Sequence, residues 1–141
     1  MWTILIKLSI LVAEDNELNF EIVQFMLDVA GANVIAAKDG KQAVDIFNAS
    51  EIGGIDAILM DVMMSVKDGL SATREIRASK RADAESIPIV AMTASAFADD
   101  VENARTAGMN AHISKPIDEE KLINCILRLV KNAGGGIEND A

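Results

Sequence analysis

Five short apolar runs alternate along this chain with stretches in which apolar residues recur every three or four positions. The runs, which we predict to be strands, cover residues 10–13, 33–37, 55–60, 87–92 and 111–114. Strict alternation of strand and helix is typical of βαβ units, in which parallel strands form a sheet with helices on both faces. Near-continuous apolar strands agree, because a parallel sheet is covered on both sides. The sequence therefore predicts an α/β fold with a doubly wound, five-stranded parallel sheet.

The stretches between the runs predict five helices, each with one apolar face against the sheet. In the first helix the predicted buried face is Leu18, Ile22, Phe25, Met26 and Val29. The later faces are Ala43, Val44 and Phe47, then Leu70, Thr73 and Ile76, then Val101 and Ala104, and finally Leu122, Ile123, Ile126, Leu127, Leu129 and Val130. We expect Arg74, Glu75 and Arg77 to point into solvent. Gly31 is expected to end the first helix, and Asp118 to cap the start of the last.

The length of 141 residues fits one domain, which we place at residues 9–132. Residues 1–8 are predicted to be an extension or linker, and residues 133–141 a flexible tail. Cys125 is the single cysteine, so no internal disulfide is possible. One cysteine and one histidine make a zinc site improbable, and this cysteine use suits a cytoplasmic protein.

The formal net charge of -9 disfavours a direct complex with nucleic acid, because such complexes need a basic surface. The apolar segment at residues 2–13 is too short to cross a bilayer as a helix. It also lacks the basic start of a signal peptide. We therefore predict neither nucleic-acid binding nor membrane insertion.

Polar side chains follow four of the predicted strands, at the edge where ligands bind in open parallel sheets. Glu14 and Asp15 follow the first strand, Asp61 the third, Thr93 the fourth and Lys115 the fifth. Each alone could be a helix cap or a solvated surface residue. Their joint occurrence at the strand ends of one sheet instead predicts a site.

Three carboxylates that converge in one cleft repel each other and stay ionised only around a cation. Oxygen ligands at this density suit Mg²⁺, which can also bind phosphate oxygens. Asp61 beside such an ion would be a competent nucleophile toward phosphorus. Lys115 and Thr93 could then supply an ammonium and a hydroxyl to the new phosphoryl oxygens. The set is chemically complete for phosphoryl transfer onto a carboxylate.

The chain closely resembles the response-regulator receiver family, and most closely the receivers attached to hybrid sensor histidine kinases. The resemblance runs from about Ser9 to Val130. Its motifs lie at residues 10–16, 58–64, 68–69, 89–94, 108–112 and 115–116. It implies a flavodoxin-like fold with strand order 2-1-3-4-5. It also implies a phosphorelay function, in which the domain takes a phosphoryl group from a partner phosphohistidine and switches a protein-interaction surface.

The same resemblance implies a role for each site residue. Asp61 would be the phosphoacceptor, and Glu14 and Asp15 would hold Mg²⁺ with the backbone carbonyl of Met63. Lys115 would bind a phosphoryl oxygen, next to a cis peptide bond between Lys115 and Pro116. The switch positions implied by the family are Thr93 and His112.

The implied partners are a sensor histidine kinase or a histidine phosphotransfer protein, docked near Leu18 and Phe20. A homodimer through the fourth helix, fifth strand and fifth helix is a further expectation. Three departures from the family pattern stand out. Ser65 replaces a usual proline and predicts a softer loop, Lys67 is interpreted as a solvated charge, and His112 stands at an aromatic position.

Three other classes of protein match parts of this residue pattern. A haloacid-dehalogenase-type enzyme would need an acid at position 63, where this chain has methionine. A flavodoxin-like cofactor carrier would bind a phosphate after the first strand, where Glu14 and Asp15 would repel it. A non-phosphorylated pseudo-receiver, acting only as a binding module, remains the alternative, although every acceptor-site residue is present.

Overall fold

The structure is a computed structural model that describes residues 4–94 and 97–133. Within these residues the strands are β1 (Ser9–Ala13), β2 (Asn33–Ala37), β3 (Ala57–Asp61), β4 (Ile89–Thr93) and β5 (Ala111–Ser114). The helices are α1 (Glu17–Val29), α2 (Gly40–Ala49), α3 (Gly69–Ala78), α4 (Ala98–Ala107) and α5 (Glu119–Ala133). All strand pairs are parallel, in the order β2-β1-β3-β4-β5. The predicted doubly wound sheet and its strand order are confirmed.

Alternate residues of β1, β2, β3 and β4 enter two separate cores. Ile10 and Val12 of β1 pack with buried residues of α1 and α5. Leu11 and Ala13 pack on the opposite face with residues of α2, α3 and α4. This alternation follows from the two-residue period of a strand, and it covers both faces of the sheet.

β3 and β4 begin and end later than the apolar runs predicted. Ile55 and Ile87 are buried, at 4% exposed each, but they lie in the loops ahead of the strands. At the other end the strands take in two polar residues, because Asp61 pairs with Met92 and Thr93 pairs with Ser114. Apolar character reports burial and not strand pairing, so the runs misplaced these boundaries.

The predicted buried face of α1 is wrong for four of its five residues, and only Met26 packs partly buried against the core. Leu18, Ile22, Phe25 and Val29 are 36–68% exposed, whereas Val23 and Leu27 are buried against the sheet. The helix carries apolar residues on two faces, so periodicity alone could not choose between them. In the four later helices, residues of each predicted face do enter the cores.

Side chains cap the starts of four helices, which confirms the predicted cap at Asp118. Asn16, Asp39, Asp68 and Asp118 each accept a hydrogen bond from the backbone N–H three residues later. Gly108, with a φ of 110°, ends α4 in the left-handed region that glycine tolerates.

Residues 4–8, within the predicted extension, contact the domain. Leu5 is fully buried, and its N–H donates to the carbonyl of Ala30 over 2.9 Å. The carbonyl of Leu8 accepts from the N–H of Asn33. Of the predicted tail, residues 134–141 lie outside the described residues. No helix in the described part of the chain is long and apolar enough to cross a bilayer.

Two arginines connect the α3 side of the fold. Arg77, expected in solvent, is half-buried, and its guanidinium donates to the carbonyls of Ala84 and Gly108. Arg81 lies over the ring of Phe47, with 4.1 Å from its guanidinium carbon to the ring centroid, and pairs with Asp83 at 2.7 Å. Arg81 also donates to the carbonyls of Phe47, Ser50 and Glu51 at the end of α2. The prediction that Arg77 points into solvent is wrong, because its guanidinium reaches the carbonyls of Ala84 and Gly108.

Candidate phosphoacceptor and metal site

The carboxyl ends of four neighbouring strands form one polar cleft. Glu14 directly follows β1, whose Ala13 pairs with Met60 of β3. Asp61 is the last residue of β3, and Thr93 is the last of β4. The N–H of Lys115, just beyond β5, donates to the carbonyl of Thr93 over 2.7 Å. The sheet register therefore brings together the side chains that the sequence placed at strand ends.

A close backbone contact between the start of α3 and the end of β3 fixes the backbone at Asp61. The N–H of Gly69 donates to the carbonyl of Val62 over 2.9 Å, which brings the start of α3 against the end of β3. A Cβ on Gly69 would lie 2.2 Å from the carbonyl oxygen of Asp61, closer than any side chain permits. Glycine is therefore required after Asp68 for α3 to start at this point.

The carboxylates of Glu14, Asp15 and Asp61 form a cluster in which one oxygen from each lies within 4.8 Å of the others. Glu14 and Asp61 are each only 3% exposed, whereas Asp15 is exposed. Burial, followed by the contact with Asp61, raises the pKa of Glu14 above its usual value. The cluster is thus an electrostatically unfavourable arrangement of like charges.

Lys115 partly balances this cluster. Its Nζ lies 3.1 Å from Oε1 of Glu14 and 3.1 Å from Oδ2 of Asp61. Burial alone would lower the pKa of Lys115, but its hydrogen bonds to Asp61 and Glu14 outweigh burial and raise the pKa. Three carboxylates against one ammonium leave an excess of two negative charges when all four groups are ionised.

This donor set fits a divalent cation. The ligand atoms are hard carboxylate oxygens, the excess charge matches a doubly charged ion, and the exposed Asp15 leaves the cleft open to water. Magnesium prefers such oxygen ligands and retains several waters. The backbone carbonyl of Met63 as a further ligand stays a prediction. The N–H of Met63 donates to Oδ1 of Asp61 over 3.2 Å, which places the Met63 backbone beside the Asp61 carboxylate.

The remaining predicted site residues surround the cleft at different distances. Thr93 is 4% exposed at the end of β4. The Lys115–Pro116 peptide bond is cis. His112 lies on β5, two residues before Ser114, and its side chain is exposed. Thr93 and Lys115 therefore belong to the cleft by position, whereas His112 lies further back along its strand.

Sequence reasoning missed the contacts made by the loop between β3 and α3. The N–H of Ser65 donates to Oδ2 of Asp15 over 3.0 Å. Lys67, interpreted as a solvated charge, forms an ion pair with Glu75. The available signal was the change at position 65, because serine has a backbone N–H that the usual proline lacks.

Comparison with known proteins agrees with this fold and cleft. The family described as the response regulator receiver domain matches residues 10–127. A cleft of this kind on this sheet defines a signalling receiver. The chain belongs to the response regulator receiver domain family.

Two relatives are informative. The hybrid signal transduction histidine kinase I of Dictyostelium discoideum is 38% identical over 124 residues, which are 86% of this chain and 7% of that kinase. The receiver domain of a sensor histidine kinase from Pseudomonas aeruginosa PAO1 is 40% identical, with a TM-score of 0.79 over 87% of this chain and 97% of that one. That crystal structure has a magnesium ion coordinated in its active site cleft.

A third relative is a receiver domain whose structure was solved in complex with a partner protein. The receiver domain of Ssk1 from Saccharomyces cerevisiae is 28% identical, with a TM-score of 0.79 over 90% of this chain and 92% of that one. It was crystallised with the histidine phosphotransfer signalling protein Ypd1. The chain spans 7–15% of the length of the histidine kinases that it matches. It thus corresponds to the receiver portion of such proteins.

Proposed function

We propose that this receiver takes a phosphoryl group from a partner phosphohistidine onto Asp61. The observation that carries the proposal is the position of the Asp61 carboxylate, which is buried, hydrogen-bonded to Lys115 and clustered with two more carboxylates. A carboxylate that served only as a helix cap would not need this surrounding.

The transfer forms one bond and breaks one. A carboxylate oxygen of Asp61 attacks phosphorus in line with the P–N bond, which breaks as the imidazole leaves with the electron pair and later takes a proton from water. Lys115 holds Asp61 in place and neutralises a phosphoryl oxygen as charge develops. Thr93 offers a hydroxyl to another phosphoryl oxygen. The product is an aspartyl phosphate. A shift of Thr93 toward the phosphoryl group would then change the protein-interaction surface.

Magnesium is the cation that we propose for the cluster of Glu14, Asp15 and Asp61, as in the Pseudomonas aeruginosa receiver. When bound, it would neutralise negative charge on the carboxylates and on the transferring phosphoryl group. Within this chain, the ammonium of Lys115 contacts both Glu14 and Asp61.

Incubation with Mg²⁺ and acetyl phosphate, followed by intact mass measurement, tests the acceptor. The wild type should gain one phosphoryl group, and Asp61→Asn should gain none. Asp45→Asn is the matched control, because this carboxylate lies on the exposed surface of α2 and pairs with Lys41. Undiminished gain in Asp61→Asn would identify another acceptor, and no gain in the wild type would favour the pseudo-receiver.

The exposed face of α1 supports a docking role toward a histidine phosphotransfer protein or kinase. Leu18, Ile22, Phe25 and Val29, here called the α1 patch, leave apolar surface in water beside the cleft. Asn19 and Ile22 line a small cavity together with Lys115 and Pro116, which connects the patch to the acceptor site. A partner seated on the patch would therefore reach Asp61. The Ypd1 complex of a related receiver makes such a partner the natural candidate.

Introduction of a negative charge into the apolar patch separates docking from chemistry. Phe25→Glu should slow transfer from a phosphorylated histidine phosphotransfer protein by about tenfold or more, since a buried interface aromatic contributes at least 1–2 kcal/mol. The rate with acetyl phosphate should not change. Ile52→Glu, at an equally exposed apolar residue after α2, is the control that should alter neither rate. Equal rates for wild type and Phe25→Glu would move docking elsewhere.

The output remains a protein-interaction surface in this proposal. Phosphorylation shifts the balance between two arrangements of α4, β5 and α5, and does not create a new fold. A homodimer through that face and a cytoplasmic location remain predictions. The presence of Asp61, Thr93 and Lys115 in one cleft argues against the pseudo-receiver.

A further inference from the structure

Each carboxylate of the cluster accepts a hydrogen bond from a backbone N–H. Glu14 accepts from Asn16 over 3.1 Å, and Asp61 accepts from Met63 over 3.2 Å. Both of these donors lie two residues beyond the carboxylate that they hold. Asp15 accepts instead from Ser65, which is fifty residues away in the chain. The third contact therefore links the β1–α1 turn to the loop between β3 and α3.

Of the three carboxylates, Asp15 is the one whose side chain is least fixed by other contacts, so a hydrogen bond that holds it has the largest effect. Glu14 and Asp61 are buried and bonded to Lys115, so their side chains are already fixed. Asp15 is exposed, and an exposed carboxylate loses rotamer freedom when it binds an ion. A donor that holds Asp15 beforehand removes part of that loss.

The loop that carries Ser65 is itself held in an unusual shape. Val66 has a φ of 68°, a left-handed conformation that a β-branched residue rarely adopts, and the N–H of Lys67 donates to the carbonyl of Ser65 over 2.7 Å. The carbonyl of Lys67 accepts from Gly40 over 3.0 Å. Strained backbone of this kind persists only where surrounding contacts impose it.

Glycine at position 40 makes that anchor possible. A Cβ on Gly40 would lie 2.2 Å from the carbonyl oxygen of Lys67. The side chain of Lys67 pairs with Glu75 on α3, which holds the same residue from the other side. The tight turn at Val66 is thus fixed at its C-terminal end, and its N-terminal end presents the N–H of Ser65 to Asp15. The softer loop expected from the loss of proline stays a prediction.

We infer that Ser65 is a positioning residue for the cation site, and that its backbone N–H raises the affinity of the cluster for Mg²⁺ by holding Asp15. The inference rests on the proposed metal site. It assigns the effect to the N–H and not to the hydroxyl, so a proline here cannot reproduce it.

Calorimetric titration with Mg²⁺ of the wild type, Ser65→Pro and Ser65→Ala tests the inference. Ser65→Pro removes the N–H and should weaken Mg²⁺ binding by about threefold to tenfold, the equivalent of one side chain that must be immobilised. Ser65→Ala keeps the backbone N–H but lacks the hydroxyl, and it should bind Mg²⁺ with the wild-type affinity. Ser65→Pro that binds as tightly as the wild type, or Ser65→Ala that binds as weakly as Ser65→Pro, overturns the inference. A wild type that binds no Mg²⁺ overturns the proposed site as well.

A second measurement does not depend on how proline is accommodated. In metal-free protein, the amide proton of Ser65 should exchange with solvent several-fold faster in Asp15→Ala than in the wild type, as seen by nuclear magnetic resonance. The amide of Gly69, which donates to Val62, is the internal control and should keep its rate. Unchanged exchange at Ser65 would show that Asp15 is not its acceptor.

Discussion

The polar cleft and the contacts around Arg81, here called the Arg81 junction, are two regions of this molecule with opposite charge balance. In the cleft, one ammonium faces three carboxylates. At the junction, one guanidinium faces a single carboxylate and three backbone carbonyls, and it also lies on the Phe47 ring. The side chains of Arg81 and Asp83 are only 12% and 15% exposed. The cleft has excess charge that a ligand can use, whereas the junction has its charge satisfied within the protein.

The difference indicates what each region contributes. A satisfied buried ion pair adds nothing to ligand binding, but it joins the end of α2 to the loop after α3. An unsatisfied cluster weakens the metal-free fold and gains stability when a cation arrives. Substitutions should therefore have opposite signs in the two regions.

Arg81→Ala should give the largest loss of stability. Removal of the guanidinium leaves Asp83 and the carbonyls of Ser50 and Glu51 without this donor, so the free energy of unfolding should fall by roughly 3 kcal/mol. Urea denaturation without Mg²⁺ measures it. Arg105→Ala is the control, since the exposed pair of Arg105 with Glu102 should contribute less than about 0.5 kcal/mol. Equal losses in the two variants would remove the distinction between the regions.

Magnesium should stabilise the wild type through the cleft. At a free concentration one hundred times the calorimetric dissociation constant, the free energy of unfolding should rise by about 2.7 kcal/mol. Asp15→Asn lacks one charged ligand and should show a much smaller rise at the same concentration. Arg81→Lys should show the full rise from a lower starting value, because the junction does not contact the cluster. A rise that depends on Arg81 and not on Asp15 would contradict the comparison.

Glu14→Gln should make the metal-free protein more stable. Glu14 is buried and its pKa is raised, which means that its ionised form is disfavoured in the fold. A neutral amide of the same shape removes this disfavoured charge, so the free energy of unfolding in the presence of EDTA should rise. Glu21→Gln, on the exposed surface of α1, removes the same charge and should change little. A less stable Glu14→Gln would mean that Lys115 already compensates for the cluster.

Sequence alone predicted the sheet, its five helices and the members of the cleft, because these follow from strand periodicity and from residue type at strand ends. It did not choose the buried face of α1, since Leu18 and Val23 are equally apolar and only the packed sheet selects Val23. Nor did it predict Arg77 against Gly108, a contact 31 residues away that depends on how α3 and α4 pack. The Ser65 contact was missed for another reason, because the replacement of the usual proline was interpreted as a softer loop and not as a new backbone donor.

The smallest effect that we expect is the pH dependence of the junction. Hydrogen bonds from Arg81 hold the pKa of Asp83 below its usual value of 3.8. The ionised form therefore favours the fold, its contribution is complete above pH 3.8, and it is lost as the pH falls through the lower folded-state pKa. Asp83→Asn should be less stable than the wild type by about 0.5 kcal/mol at pH 7, and this difference should shrink below pH 3.8.

Urea denaturation of both proteins between pH 7 and pH 3 measures that difference directly, and Asp45→Asn in the exposed pair with Lys41 serves as the control. A pH-independent difference would mean that Asp83 acts through its two acceptor oxygens toward Arg81, of which the amide keeps only one, and not through its charge. The junction would then be a packing contact, and the contrast with the cleft would rest on Arg81 alone.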